Sequence, residues 1–257
     1  FLVQIVAALI AVHAGCRIYI LSNINIFSSD PFWVLGWLSI PISVFWIVGI
    51  TNAVNLIDGL DGLAVGVSTI SCVTILVVAL LVSEPNVALI VAALAGACIG
   101  FMPYNLNPAR IFMGDTGSTF LGYMLATVSI MGLFKFYAVI SFAVPFLILG
   151  LPIFDTANAI IRRLAEGRSP MSPDRGHVHH KLIDMGFNQK QAVAILYAIS
   201  ATLGLTAVVL TSSGEVKAVV LLAAVLAAIL VGACIIYGAE HWGKHPQEQK
   251  KHKNEAA

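Results

Sequence analysis

Apolar residues run through this chain in stretches of about 20, the length an α-helix needs to cross a hydrocarbon layer ~30 Å thick at 1.5 Å per residue. The pattern predicts eight spanning helices, at residues 1–21, 32–54, 63–82, 86–103, 117–134, 137–153, 191–211 and 216–237. Short polar turns join most of them. Three connections are longer and more polar, 55–62, 104–116 and about 155–191, and each follows an even-numbered segment. All three therefore share one side of the membrane. In the sixth segment Pro145 and Pro152 predict a kink, after which Ile153, Phe154, Ala157, Ile160, Ile161 and Leu164 recur at helical spacing beside Arg162 and Arg163. That pattern describes a helix leaving the bilayer amphipathically and returning the loop 168–181 over the other helix ends. The fold class is all-α, a polytopic transmembrane helical bundle of about eight helices over residues 1–238, followed at 239–257 by a polar tail expected to be disordered.

Composition sharpens this reading. Of 257 residues, 59% are hydrophobic and 11% charged, and the mean hydropathy is +0.92, whereas a soluble domain carries roughly 25% charged residues. A water-soluble core is excluded. Cys16, Cys72, Cys98 and Cys234 each sit inside an apolar run and read as small buried hydrophobes, not as disulfides or a zinc site. The net charge of +1 gives no reason to expect a nucleic-acid partner, but the charges are distributed unevenly. Of 14 Lys and Arg residues, eleven lie on the side of the three long loops, Lys135 and Lys217 lie opposite, and Arg17 falls within the first segment. The loops are therefore expected to be cytoplasmic. Most acids lie there too, which topology does not require, and ionisable groups at membrane helix ends are functional candidates.

Three constellations fall on this face. Asn52, Asn55 and Asp58 follow helical spacing at the end of the second segment, with Asp61 three residues on; the alternative is a polar cap with two Asp-Gly turns. In Asn105 to Ser118, Gly114 and Gly117 allow close backbone approach, Thr116 and Ser118 are expected to cap the next helix, and Asp115 suits a hard-oxygen site for magnesium. A plain Gly turn and N-cap is the other reading. The third, Asp174-Arg175-Gly176-His177-Val178-His179-His180-Lys181, lacks the further ligands of a four-coordinate zinc site and suits a polyanion such as a diphosphate, with a solvated basic loop as the alternative.

With these motifs in place, the chain resembles the polyprenyl-phosphate N-acetylhexosamine-1-phosphate transferases, the glycosyltransferase family 4 enzymes that include MraY, WecA and TagO. The resemblance covers Phe1 to about Tyr237 and rests on Asn52-x-x-Asn55-x-x-Asp58-Gly-x-Asp61-Gly-Leu-Ala and Phe112-Met-Gly-Asp115-x-Gly-Ser. The His-x-His-His order at 177–180 and the eighth segment are similar to the WecA/TagO branch.

The resemblance implies transfer of GlcNAc-1-phosphate from UDP-GlcNAc to undecaprenyl phosphate with release of UMP, at the cytoplasmic face of the bacterial plasma membrane. That step would start a lipid-linked envelope glycan such as teichoic acid. It implies a magnesium cofactor, or manganese, on Asp115, and a catalytic set of Asp58, Asp61, Asp115, His177, His179 and His180. Asn105 and Phe112 would hold uracil, Asn55 and Asp58 would line the nucleotide cleft with Asn52 also binding substrate, and Arg175 would join the histidines on the diphosphate or sugar. A homodimer is a family expectation.

The family's upstream Asp-Asp-x-x-Asp motif has no counterpart here, so about three further helices are expected before Phe1, and the 257-residue chain alone is expected to be inactive. A CDP-alcohol phosphatidyltransferase would need Arg after Ala64, where this chain has Val65. A polytopic transporter with a polar site on the cytoplasmic side is the alternative from a different class, against which stands the absence of a visible inverted repeat.

Overall fold

The computed structural model describes residues 1–22, 32–133, 143–169, 172 and 176–212. The eighth expected segment, the tail, Cys234, Asp174 and Arg175 lie outside the described residues. Within them the chain is all-α apart from one small hairpin. The helices are α1 (Leu2–His13), α2 (Ser39–Leu56), α3 (Leu63–Leu81), α4 (Pro85–Asn105), α5 (Gly114–Gly132), α6 (Ala143–Ile148), α7 (Gly150–Ala165), α8 (Val178–Asp184) and α9 (Gln189–Ser212). Four described stretches are long and apolar enough to span a bilayer: Gly36–Leu56, Leu63–Leu81, Pro85–Asn105 and Gln189–Ser212. The chain is a membrane protein.

The first expected span is shorter than its apolar run. α1 stops at His13, where Ala14 and Gly15 (φ +100°) turn the chain and Arg17 Nε donates to the Val12 carbonyl at 2.8 Å. Twelve residues reach only about 18 Å. The next element is a strand, β1 (Ile20–Ser22), paired antiparallel with β2 (Phe32–Val34), so the second expected segment begins as strand and turns helical only at Gly36, through a 3-10 turn that leads into α2. Hydropathy alone does not distinguish an apolar strand from an apolar helix.

The expected proline kink is present and has a visible cause. Pro152 lacks the N–H that would bond the Ile148 carbonyl, and the helix breaks at Leu149 between α6 and α7. Ser71 of α3 donates its hydroxyl to that carbonyl at 3.1 Å, satisfying inside the membrane a group that would otherwise be orphaned. Beyond the break, α7 turns Leu151, Asp155, Ala159 and Arg163 inward, while Phe154, Ile160, Ile161 and Leu164 stay exposed. An amphipathic helix with its charged residues inside and its apolar stripe outside suits the bilayer interface.

α3 is central, packed by α4, α5 and α9, and α2 lies along α5. Small residues permit these approaches. A Cβ on Gly122 would lie 2.7 Å from Thr51 Cα, so α5 backs directly onto α2, and Trp46 Nε1 donates to Ser129 Oγ at 3.0 Å farther along the same seam. On α9, Tyr197 lies over Gly66 with its hydroxyl donating to the Gly62 carbonyl at 2.5 Å. A second, smaller apolar cluster includes Ile57, Leu63, Leu151, Leu182, Val193 and Leu196, with Met113 against it. It ties the starts of α3, α7 and α9 to α8, and the polar loops sit on it.

Candidate active site

The close α2–α5 seam carries the first polar contact. Because Gly122 brings α5 against Thr51, Asn55 one turn beyond Thr51 meets Ser118 and Asp115 one and two turns before Gly122. Asn55 Nδ2 donates to Ser118 Oγ at 2.8 Å and to Asp115 Oδ1 at 3.2 Å. Asp115 is exposed in the first turn of α5, where the helix dipole favours negative charge. The expected caps are not formed: α5 already begins at Gly114 (φ +63°), which leaves Ser118 inside the helix, its hydroxyl bonded back to the Gly114 carbonyl at 3.0 Å.

Asp58 follows α2 in the turn before α3 and is half-buried. Burial first, and the negative charge of Asp115 second, raise its carboxyl above the usual range. Two carboxylates near enough for the charge of Asp115 to reach Asp58, with the Asn55 amide bonded to Asp115, form a hard-oxygen donor set suited to a divalent cation. Among the described residues no group of three His, Cys, Asp or Glu gathers as a ready-made ligand cage. Magnesium fits such a site, since it usually takes one or two carboxylates and completes its shell with phosphate oxygens and water.

Asp61 and Asn105 have different surroundings. Asp61 Oδ2 accepts from Asn107 Nδ2 at 3.0 Å and from the Ala109 N–H at 3.1 Å. Asn105 is buried, accepting from the Gly62 N–H at 3.2 Å and donating to the Ile111 carbonyl at 3.0 Å. Asn107 also donates to Gln189 Oε1 at the start of α9, at 2.9 Å. Both residues thus staple the 57–62 turn to the 106–113 loop and so place Asp115. Phe112, 74% exposed on that loop, has a free face for stacking. Asn52 lies a turn below Asn55 and donates to Gln4 Oε1 of α1 at 2.8 Å, apart from the other polar groups.

The histidines close the site from the start of α8, held by Asp155 of α7. Asp155, only 3% exposed, accepts through Oδ1 from the Val178 N–H at 2.8 Å, and its Oδ2 lies 2.8 Å from His177 Nδ1. His177 stacks near-parallel to His179 at 5.6 Å between ring centres, and the His180 ring lies 4.2 Å from that of His179. His179 is buried with its ring against Gly59, and its Nε2 has no partner. Burial above all, then the neighbouring His180, partly opposed by Asp155 and helped least by His177, push it down to about 4, so it is neutral at pH 7. The run 177–180 is therefore not uniformly cationic.

The three constellations thus meet at one end of the bundle: Asn55 touches Asp115, Gly62 touches Asn105, and Gly59 touches His179. Sequence reasoning missed Asp155, Gln189 and Tyr197. For Asp155 a signal existed, a lone acid at four-residue spacing with Leu151, Ala159 and Arg163 on the narrow face of α7, masked by the broader apolar stripe.

Comparison with known proteins places the chain in one family. Residues 1–133 match the model of glycosyl transferase family 4. A Bacillus subtilis (strain 168) protein named as a probable undecaprenyl-phosphate N-acetylglucosaminyl 1-phosphate transferase is 42% identical over 217 residues, 83% of this chain and 59% of the relative. A decaprenyl-phosphate N-acetylglucosaminephosphotransferase of Mycolicibacterium smegmatis is 40% identical over 181 residues, 62% of this chain and 44% of the relative. A phospho-N-acetylmuramoyl-pentapeptide-transferase of Limosilactobacillus fermentum is 36% identical over 175 residues, 66% of this chain and 51% of the relative. The chain spans less than two thirds of the length of these curated relatives. With the family model matching more than half of its residues, the chain belongs to glycosyl transferase family 4.

Proposed function

We propose that the complete protein containing this chain transfers GlcNAc-1-phosphate from UDP-GlcNAc to undecaprenyl phosphate and releases UMP, at the cytoplasmic face of a bacterial plasma membrane. The observation that carries the reading is the meeting of Asp58, Asn55 and Asp115 at the membrane end where the His177–His180 turn also lies. The names of the relatives support the substrate class.

In this reaction an oxygen of the lipid phosphate bonds the β-phosphorus of the nucleotide sugar, and the bond from that phosphorus to the bridging oxygen breaks. One phosphoanhydride replaces another, so positioning and charge neutralisation supply most of the catalysis. Asp115 and Asp58 would hold magnesium, which when bound neutralises diphosphate charge. Asn55 orients the Asp115 carboxylate, and Phe112 offers a face to the uracil ring. Asp61 and Asn105 keep the loop between them in register. His177 and His180 donate to diphosphate oxygens, with Arg175 as a further donor, and neutral His179 contributes shape and a hydrogen-bonding nitrogen in place of charge.

The test is UMP release by the complete gene product in lipid nanodiscs, supplied with UDP-GlcNAc, undecaprenyl phosphate and magnesium. Turnover is expected, with a fall of at least about 100-fold in Asp115→Asn. A folded protein without UMP release, or an Asp115→Asn variant with normal turnover, overturns the proposal.

A further inference from the structure

We infer that Asp155 is a positioning residue of this site, holding His177 in the form that carries its proton on Nδ1 and thereby leaving Nε2 as the nitrogen available to a phosphate oxygen. The inference rests on the transferase reading and adds to it a residue from outside the three motifs.

Asp155 sits where the chain has just broken at Leu149 and restarted as α7, four residues beyond Leu151 on the inward row. It is 3% exposed and its partner His177 is 6% exposed. A buried carboxylate needs its lone pairs satisfied, and both oxygens of Asp155 are engaged by adjacent residues of one turn. Oδ1 accepts from the Val178 N–H and Oδ2 faces His177 Nδ1, each at 2.8 Å. The backbone contact fixes where α8 begins, and the ring contact fixes which nitrogen holds hydrogen. An ionised carboxylate only accepts, so Nδ1 must donate whether the imidazole is neutral or charged. Nε2 is then a lone-pair acceptor in the neutral ring and a cationic donor in the charged ring, and the charged ring suits a diphosphate. Because His177 and His179 stack near-parallel, a ring held at one edge also limits how His179 lies against Gly59. This is the arrangement in which a buried acid orients a working histidine through its far nitrogen.

Two substitutions separate this role from packing. Asn at 155 keeps the size and, through Oδ1, the bond to Val178, but its Nδ2 presents hydrogen to His177 Nδ1 and forces the proton to Nε2. Glu keeps the charge and the acceptors but is one methylene too long. Positioning expects the complete Asp155→Asn protein to lose on the order of 100-fold in kcat with little change in thermal stability, and Asp155→Glu to retain more turnover than Asn. A purely structural role reverses the order, Asn close to wild type and Glu worse, and that result overturns the inference. An independent readout does not use the Asp155 variants: 15N-imidazole spectra of the wild-type protein, with the His177 signal assigned by its loss in a folded His177→Gln protein, should show a protonated Nδ1. A bare Nδ1 overturns the inference whatever the kinetics. Wild-type protein that releases no UMP overturns the transferase reading instead, while the spectrum still decides how Asp155 holds His177.

Discussion

Gly59 is where the Asp-Gly turn and the histidine turn touch, and its substitution gives a sharp test of that contact. A Cβ on Gly59 would overlap His179 Nε2 and stand 2.9 Å from Cε1 and 3.3 Å from Cδ2. Ordinary carbon contacts lie near 3.5–4.0 Å, so the ring must withdraw by on the order of 1 Å. It has little room, being 2% exposed, with the His177 and His180 rings 5.6 and 4.2 Å away centre to centre. Overpacking of this kind typically costs about 1–3 kcal/mol. Gly59 does not need the left-handed backbone that Gly62 adopts at φ +82°, so Ala carries no backbone strain. Once His179 is Ala, the overlap disappears and Gly59→Ala should become neutral or stabilise by about 0.4–1 kcal/mol through the unfolded chain. The effect of Gly59→Ala therefore vanishes or changes sign between the two backgrounds, a coupling of about 1–4 kcal/mol. Thermal unfolding of the four proteins in detergent measures it. Equal losses from Gly59→Ala in both backgrounds would refute the contact. In turnover, a 1 Å displacement of α8 is expected to cost Gly59→Ala up to about 100-fold.

Further outcomes rest on the same geometry. His179 is neutral when folded down to about pH 4, against an ordinary value of 6.5, so between these limits the unfolded chain binds the additional proton. Its contribution is therefore complete above pH 6.5 and is lost as pH falls toward 4. With His177, His180 and Asp155 all present, His179→Gln should flatten the melting temperature across that window, and an unchanged slope would contradict the assignment. Asp61→Asn keeps an oxygen for Asn107 and Ala109 and should stay within about threefold of wild-type turnover, whereas Asp61→Ala should lose more than tenfold with faster amide exchange across 106–113. Equal loss in both would return Asp61 to direct catalysis through its charge. Ser71→Ala leaves the Ile148 carbonyl unpartnered and should destabilise by about 1 kcal/mol, with Ser71→Thr close to wild type; identical melting of the Ala variant and wild type would count against the bond.

What the sequence alone determined is the class of molecule and the places where chemistry gathers. Apolar runs of spanning length, a skewed Lys and Arg distribution and three polar interruptions are local properties, and a helix in lipid satisfies its own backbone, so they translate directly into structure. A kink in the segment holding Pro145 and Pro152 was legible for the same reason, since a missing N–H is a fact about one residue, although its place at Leu149 was not. Only the tertiary structure decided the roles of the polar residues. Asp58, Asp61 and Asp115 are alike in sequence, yet Asp61 anchors a backbone loop while Asp58 is half-buried and also feels the charge of Asp115. That division depends on which helices come close, and closeness is set by Gly122 against Thr51, Gly66 under Tyr197 and Gly59 under His179. Asp155 was hidden by the same logic, because its partners lie 22 and 23 residues away across a helix break. Likewise α1 is short because Arg17 folds back on Val12 and the chain then pairs as a hairpin. Hydrophobic period reports which face of a segment avoids water, whereas hydrogen-bond partners are fixed by the packing of segments distant in sequence.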